Sequence, residues 1–314
     1  MFKKIICQLN VVGQCRKYGF SLWQCPQFLF LVMGIFIGAV SIASYLIGTR
    51  YFEDPQVISI IILFIAGILF IIEFTIVRSF ERLAEASRMK SEFIDIVSHQ
   101  MRSPLTNLKW TFEILTFDKK DLVQDKKEEY LSSIKENIER MVELVDDLLI
   151  VSKIEQGTFP IRKTEISPES LIRELIIRYR PFSEASHISL DFQVQQGMPK
   201  IFADPSCLKL VLENLIDNAV RYSRGRGKIE MRLERKLKEV LFKIKDSGLG
   251  IPKEDQKYIF QKFFRAKNVQ KEQTRGNGLG LYIVKSIVKQ SGGKIWFESE
   301  EGRGTTFYFT LPIK

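Results

Sequence analysis

Two long apolar runs near the N-terminus constrain the fold of this 314-residue chain more than any other feature. Phe28–Gly48 has 21 residues without a charge, and Val57–Val77 has another 21, interrupted only by Glu73. At about 1.5 Å per helical residue each run reaches about 30 Å, the hydrocarbon thickness of a bilayer. Both are longer and more uniformly apolar than ordinary core helices. The sequence therefore predicts transmembrane helices at 28–48 and 57–77, joined by a short external loop at 49–56.

Basic residues are distributed unequally around these runs. Four precede the first run, one lies in the loop, and four follow the second run: Lys3, Lys4, Arg16, Lys17, Arg50, Arg78, Arg82, Arg88 and Lys90. The positive-inside rule places such a chain with both termini, including the segment 1–27, in the cytoplasm. A cleaved signal peptide is the alternative interpretation of the first run, and the length of its charged leader argues against it.

Other features of this region leave alternatives open. Cys7, Cys15 and Cys25 would lie in the reducing cytoplasm, as a redox switch or as ordinary free thiols. Glu73 is either a sensing group or a carboxylate that reaches the membrane interface. The net charge of +10 is spread along the chain, and no nucleic-acid-binding module is evident. We therefore expect contact with membrane lipid and none with nucleic acid. The tiny loop favours sensing within the membrane or through a partner protein.

Two amphipathic segments follow the membrane region. A signalling helix at 78–90 leaves no room for a separate relay domain, and apolar residues then recur at helical spacing from Phe93 to Leu115. A second such series runs from Tyr130 to Val151 and stops near Gly157, a residue that commonly ends helices. Two helices of this kind cannot bury their apolar stripes alone. Residues 91–157 are therefore predicted to dimerise into a four-helix bundle.

The C-terminal part mixes strands and helices after a linker at 158–167. Ser167 and Pro168 suit the cap and the first position of a helix. Alternating apolar residues predict strands at about 188–194, 229–233, 240–244 and 307–311, with helices at about 205–222 and 277–291. Residues 168–314 are thus predicted to form an α/β sandwich, a mixed sheet covered by helices on one face. The chain as a whole is α+β.

Five motifs carry the candidate chemistry. His99, one of only two histidines, lies in the segment 98–105 among polar neighbours that indicate an exposed face. Asn214 and Asn218 are four residues apart and therefore share one helix face. Glycine-rich segments lie at 246–250, 276–280 and 302–305. A neutral imidazole is a good nucleophile, and backbone N–H groups at a glycine-rich helix start bind phosphate.

In order and spacing these motifs resemble those of two-component sensor histidine kinases, from about Met89 to Pro312. The resemblance implies a HisKA-type dimerisation and phosphoacceptor domain, followed by a GHKL-type ATP-binding domain. It implies that ATP with Mg²⁺ phosphorylates His99 and that the phosphoryl group passes to an aspartate of a cognate response regulator. The expected assembly is a homodimer in the cytoplasmic membrane, with its catalytic domains in the cytoplasm.

The residues beside His99 depart from the usual family pattern. Gln100 stands where the family usually has Glu or Asp. Its amide oxygen can accept the Nδ1–H bond that orients the imidazole, but it cannot act as a general base. Asp95, one helical turn earlier, is either a substitute acid or a solvated carboxylate. Ser103 retains a hydroxyl where the family positions water for phosphatase activity, but the acid that usually accompanies it is absent, so these residues support a phosphatase less than a kinase.

For the nucleotide, the resemblance implies a defined set of residues. Asn218 would hold Mg²⁺ and Asn214 would support the phosphates, since amide oxygens suit a hard cation. Asp246 would accept from the adenine amino group, and residues 266–275 would form a lid over ATP. The predicted nucleotide-binding set is Asn214, Asn218, Arg221, Tyr222, Asp246, Gly248, Gly250, Arg265, Gly276, Gly278, Leu279, Gly280 and Thr305.

Two other functions compete with the kinase. An ATP-binding but catalytically weak signalling scaffold would also fit Gln100, and ATP binding without phosphohistidine would favour it. An ATPase of the gyrase–Hsp90–MutL group would share the nucleotide motifs but lack a phosphoacceptor helix. ATP turnover that does not depend on His99 would favour that ATPase. The presence of His99 in its motif favours the kinase.

Overall fold

The computed structural model describes residues 26–51, 54–117, 124–223, 227–271 and 276–313. Its helices are α1 (Pro26–Tyr51), α2 (Pro55–Phe117), α3 (Gln124–Glu155), α4 (Pro168–Ala185), α5 (Pro205–Tyr222), α6 (Lys267–Lys271) and α7 (Gly280–Gln290). Its strands are β1 (Thr164–Ile166), β2 (Ser189–Val194), β3 (Ile201–Ala203), β4 (Lys228–Arg235), β5 (Glu239–Lys245), β6 (Ile295–Glu300) and β7 (Gly304–Pro312). The chain divides into two compact units, Met1–Ser98 and His99–Lys314. Cys7, Cys15 and Cys25 lie outside the described residues.

The N-terminal unit contains two helical segments that are long and apolar enough to cross a membrane, judged by length and composition. These are α1 from Phe28 onward and the first 31 residues of α2. They run antiparallel, because the rings of Phe30 and Phe70 have centroids 5.7 Å apart while Gly48 lies against Ile58 near the connection. Most of their large apolar side chains are exposed, as expected of helices that face lipid.

Glu73 is the acidic residue within the second apolar segment. Its side chain is buried, and neither carboxylate oxygen has a hydrogen-bond partner among the described residues. Acidic groups in such segments are costly and commonly functional. The sensing role that the sequence suggests for Glu73 stays a prediction.

Helix α2 is 63 residues long and continues without a break from its apolar segment to Phe117. This continuity agrees with the expectation that the second span leads directly into the helix that bears His99. Pro104 lies inside α2. Because proline has no N–H, the carbonyl of Gln100 lacks the donor that residue 104 would otherwise supply.

The C-terminal unit begins with the end of α2 and with α3. These helices leave many large apolar side chains exposed: Leu105, Trp110, Phe112, Leu131, Ile138, Val142, Val145 and Leu149. Other apolar residues of α3 are buried, including Leu144 and Val151. Helix α3 also packs against α7 of the C-terminal domain. An exposed apolar stripe of this size is the feature that a helical hairpin needs for dimerisation.

A five-stranded mixed sheet with the order β2-β4-β5-β7-β6 forms the C-terminal domain. β2 pairs with β4 in parallel, and the other neighbours are antiparallel. Alternate residues of the central strands are buried, and the rings of Phe242 and Phe309 stack with centroids 4.3 Å apart. Helices α5 and α7 pack together and contact the sheet. The predicted fold class, a mixed sheet with helices on one face, is therefore confirmed.

The helix starts follow the sequence signals. Ser167 accepts from the N–H of Ser170 at 3.3 Å, and Pro168 occupies the first turn of α4, as predicted. Helix α5 begins in the same way, with Asp204 as its cap. The hydroxyl of Tyr179 on α4 donates to Asp217 on α5 at 2.7 Å, which links these two helices.

Strands β1, β3 and β6 were not predicted from the sequence, and helices α6 and α7 differ from the prediction. β1 lies inside the segment expected to be a linker and pairs antiparallel with β3, with Thr164 opposite Ala203. β6 was likewise not predicted, and it is the edge strand beside β7. Within the expected lid at 266–275, residues 267–271 form helix α6, and residues 272–275 lie outside the described residues. Helix α7 begins at Gly280, three residues later than predicted.

Candidate active site

Helix α5 supplies one polar wall of a cleft in the C-terminal domain. Asn214 and Asn218 lie one turn apart on its cleft side, while its apolar side is buried in the core. The Asn214 amide nitrogen donates to the carbonyl of Leu210 at 2.9 Å. The Asn214 amide oxygen points toward Gly280, where a Cβ atom would collide with it. A side chain at the first residue of α7 would therefore displace the Asn214 amide from its position.

The loop after β5 forms a second wall around one buried carboxylate. The Asp246 Oδ1 atom accepts from the backbone N–H of Gly248 at 2.9 Å and of Thr305 at 3.1 Å. Burial raises the pKa of Asp246 above its ordinary value, and these hydrogen bonds oppose the rise. A Cβ atom at Gly248 would collide with the carbonyl of Tyr222, so this glycine lets the loop lie against the end of α5. Asp246 is thereby held in a fixed orientation at the cleft.

The segment Gly276–Gly280 closes the cleft on a third side and leads into α7. Gly278 has a φ of +74°, and a Cβ atom there would lie 2.7 Å from the carbonyl carbon of Phe263, so only glycine fits. At the start of α7, Leu279 makes no side-chain capping hydrogen bond. The first backbone N–H groups of a helix without such a cap are suited to bind an anion, and this holds for the start of α7.

The cleft is a cavity in the C-terminal unit that is partly open to solvent. It is lined by every residue of the predicted nucleotide-binding set except Gly248 and Leu279. The backbone N–H of Gly248 donates to Asp246, and Leu279 is fully buried. The structure therefore brings together residues that are up to 91 positions apart, from Asn214 to Thr305.

Sequence reasoning missed part of this lining. Glu143 and Asp147 of α3 border the cleft, as do Asp217 and Asn277. Burial raises the pKa of Asp147 to about 6; Glu143 and Asp146 add to the rise, whereas a hydrogen bond from Asn277 and the charge of Arg221 oppose it. Asn277 could have been found from its place between two loop glycines. No local signal shows that α3 reaches the cleft.

A second cavity adjoins the cleft and is lined by α2, α3, Arg221, Gly276 and Asn277. Gln100 lines it and donates through Nε2 to the Asn277 carbonyl at 3.3 Å. His99 and Ser103 are exposed and line neither of the two cavities. The described residues around His99 and Ser103 thus leave both side chains accessible from solvent.

The donor set of the cleft suits a magnesium ion that is held mainly through phosphate. Among the described residues, no group of three or more His, Cys, Asp or Glu side chains is placed to bind a metal. The amide oxygens of Asn214 and Asn218 are hard donors at the cleft surface. Mg²⁺ commonly takes few protein ligands and completes its shell with water and phosphate oxygens. The residues present therefore fit this ion as a partner of a bound nucleotide.

Two family models match consecutive parts of the chain. Residues 203–314 match histidine kinase-, DNA gyrase B- and HSP90-like ATPases, and residues 89–157 match the His Kinase A (phospho-acceptor) domain. The second match includes His99, and the first includes both asparagines and all three glycine-rich segments.

Curated relatives are similar over the same region. Sensor protein kinase WalK of Staphylococcus epidermidis is 34% identical over 234 residues, which cover 73% of this chain and 38% of WalK. The circadian input-output histidine kinase CikA of Synechococcus elongatus is 32% identical over 237 residues, covering 72% of this chain and 30% of CikA. The chain therefore spans only about a third of the length of these relatives.

Solved structures share the fold. Histidine kinase ThkA in complex with response regulator protein TrrA aligns with a TM-score of 0.57 and 26% identity, over 74% of this chain and 64% of that chain. Histidine kinase AdeS of Acinetobacter baumannii aligns with a TM-score of 0.57 and 21% identity, over 69% of this chain and 98% of AdeS, and this likeness concerns the fold alone. Taken with the cleft geometry and the two domain matches in their order, these similarities show that the chain belongs to the two-component sensor histidine kinase family.

Proposed function

We propose that this protein is a membrane-bound, homodimeric sensor histidine kinase that autophosphorylates His99 with ATP and Mg²⁺. The observation that carries the proposal is the cleft, in which Asn214, Asn218, Asp246 and the glycine loop converge in the same unit as an exposed His99. The proposal retains the spans at 28–48 and 57–77, the phosphoacceptor domain at 91–157 and the ATP-binding domain at 168–314. The catalytic domains would face the cytoplasm.

The chemistry is a transfer of the γ-phosphoryl group. The Nε2 lone pair of His99 forms the N–P bond as the bond between the γ-phosphorus and its bridging oxygen breaks, and ADP leaves with that electron pair. The proton on Nδ1 stays in place during the attack. Gln100 is proposed to orient the imidazole through its amide oxygen. Mg²⁺, which Asn218 would hold, supplies charge neutralisation when bound.

The other site residues receive matching roles. Asn214 and Arg221 would contact the phosphates, as would Arg265 and the N–H groups of the 276–280 segment. Asp246 would accept from the adenine amino group, for which its fixed orientation is suited. Tyr222 would pack along the nucleoside. Ser103 is proposed to position water during dephosphorylation of the partner.

The phosphoryl group is proposed to pass to an aspartate of a response regulator. ThkA has been solved in complex with a response regulator, which supports this partner class for a chain of the same fold. The exposed apolar side chains of α2 and α3, among them Trp110 and Phe112, support the homodimer.

The proposal is tested with the full chain in lipid nanodiscs, incubated with γ-labelled ATP and Mg²⁺. We expect acid-labile, base-stable label in the parent and none in His99→Ala. The matched control is His187→Ala, which removes the other histidine. Label that survives in His99→Ala would contradict the proposal.

A catalytically weak scaffold is the second candidate, and Gln100 in place of the usual acid favours it. In that case the parent would bind ATP, but His99 would not become labelled. Label in Gln100→Glu but not in the parent would show an otherwise complete kinase that is inactive because of one side chain. Label in the parent at a similar rate to Gln100→Glu would exclude the scaffold.

A further inference from the structure

The segment between the cleft and the second cavity is held at one residue, Asn277. Its amide nitrogen donates to Asp147 Oδ2 of α3 at 2.6 Å, and its carbonyl accepts from Gln100 of α2 at 3.3 Å. Its amide oxygen accepts from the N–H of Leu279 at 3.0 Å. Both helices of the phosphoacceptor domain therefore hold the glycine segment that leads into α7.

The contact made by Gln100 depends on its being an amide. A glutamate at this position has no N–H to donate, and its carboxylate would face the Asn277 carbonyl oxygen. The departure from the family pattern therefore does more than remove a base. It adds a hydrogen bond between the phosphoacceptor helix and the segment proposed to hold phosphate.

This arrangement differs from one that can transfer phosphate to the histidine of the same helix. Successive residues of an α-helix point about 100° apart. Gln100 faces Asn277, so the exposed His99 is directed away from that segment. The cleft is also bordered by the carboxylates of Glu143 and Asp147, which repel a triphosphate.

We propose that Gln100, Asn277 and Asp147 form an autoinhibitory latch, which holds the phosphate-binding segment against the phosphoacceptor helices and must open before ATP is bound productively. The inference rests on the proposed function, because it assigns a resting state to the same site. The latch has two arms that meet at Asn277. Breaking either arm releases the segment for nucleotide.

Two measurements on the full chain in nanodiscs test the latch without requiring phosphotransfer. The first is the hydrogen-exchange protection of residues 276–280 without nucleotide. The second is the Kd of a fluorescent ATP analogue with Mg²⁺ at pH 7.5. In Gln100→Ala and in Asp147→Ala we expect protection to fall, and the analogue to bind more tightly, by about 2- to 10-fold, the net effect of one hydrogen bond.

Three variants separate a latch from simpler effects. Asp147→Asn removes the charge but keeps an acceptor for Asn277, so the latch predicts protection at least as high as the parent's. Gln100→Glu should release the segment as much as Gln100→Ala does, whatever it does to the rate of labelling. The double variant Gln100→Ala with Asp147→Ala should bind no more tightly than the stronger single variant, since both arms act on one residue.

Matched controls lie on α3 and directly after its end. Glu129→Ala removes an exposed carboxylate that lines neither cavity, and Gln156→Ala removes a glutamine whose amide bonds to Ser152 instead. Both should leave protection and Kd unchanged. If Gln100→Ala and Asp147→Ala also leave them unchanged while the parent binds the analogue, the latch is wrong and the kinase assignment stands. A parent that does not bind the analogue would contradict the proposed function itself.

Discussion

At the scale of single residues, Asp246 does the most to shape the cleft. It is buried and accepts from two backbone N–H groups, which belong to segments 57 positions apart, Gly248 and Thr305. Replacing it with alanine leaves both donors unsatisfied. We expect Asp246→Ala to lower the free energy of unfolding by about 1–3 kcal/mol per orphaned donor. Thermal denaturation of the full chain measures this loss.

The amide variant separates folding from recognition at the same position. Asp246→Asn keeps an acceptor oxygen for both donors, so we expect a loss of stability below about 1 kcal/mol. It presents N–H groups where an adenine amino group needs an acceptor, so nucleotide affinity should fall in both variants. Equal nucleotide affinity in Asp246→Asn and the parent would show that Asp246 does not accept a hydrogen bond from adenine.

Asp147 gives the latch a predicted pH dependence. Its pKa is raised to about 6 in the latched arrangement, first by burial and then by Glu143 and Asp146, against the opposing effects of Asn277 and Arg221. Release of the segment would expose Asp147 to water and return its pKa toward the ordinary value, so protonation favours the latched arrangement. The added stability is therefore fully present below the ordinary carboxyl pKa and is lost as pH rises through about 6.

We expect the protection factor of residues 276–280 to fall between pH 5 and pH 7 in the parent. A protection factor divides out the intrinsic exchange rate, so the trend reports the latch itself. Asp147→Asn keeps the hydrogen bond but cannot titrate, and its protection should not vary over this range. If the protection factor of the parent is as independent of pH as that of Asp147→Asn, the latch does not depend on the ionisation of Asp147.

At the scale of elements, Pro104 removes one hydrogen bond from the backbone of α2. It leaves the carbonyl of Gln100 without its helical donor, at a residue that takes part in the latch. Pro104→Ala restores that donor and should stabilise the helix by up to about 3 kcal/mol, less the packing lost with the buried ring. We expect slower hydrogen exchange over residues 100–106 and slower labelling of His99, because the missing hydrogen bond lets the helix bend more easily here and so lets the histidine reorient.

The matched control for this prediction is Pro168→Ala at the start of α4. A proline in the first turn of a helix removes no hydrogen bond, so this change should leave labelling unaffected. If Pro104→Ala shows slower exchange but unchanged labelling, bending of α2 at Pro104 is not needed for phosphoryl transfer to His99.

Which elements could be predicted follows from the range of the interactions that form them. β2, β4, β5 and β7 carry apolar alternation, so a local pattern was enough to find them. β1 and β3 have three residues each and exist because they pair with each other across 35 to 39 positions. β6 is an edge strand whose alternate residues are only partly buried, which weakens its pattern. Neither kind of strand has a strong local signal.

The same distinction applies to the cleft. Asn214, Asn218 and the glycine segments were predictable because each motif is contiguous and its spacing has a physical reason. Asp147 was not predictable, since its place at the cleft depends on α3 lying against α7 and on Asn277, 130 positions later. The latch is built from such long-range contacts, and so it became visible only in the structure.

At the scale of the whole molecule, α2 is the continuous covalent connection between the proposed membrane segment and His99. A signal that rotates the helix would change which residue faces the glycine segment, because Gln100 and His99 differ by about 100°. Inserting one alanine between Arg82 and Leu83 advances the following residues by about 100°, and inserting seven residues returns them to within about 20° of the original phase.

We therefore expect the one-residue insertion to change the labelling rate of His99 in the full chain and the seven-residue insertion to restore it toward the parent. A latch that opens by rotation makes the same prediction for the protection of residues 276–280, which should fall with one inserted residue and recover with seven. The two readouts must change together, since both depend on the direction in which Gln100 points. Labelling that falls steadily with insert length, with no recovery at seven, would show that α2 transmits position along its axis rather than rotation about it.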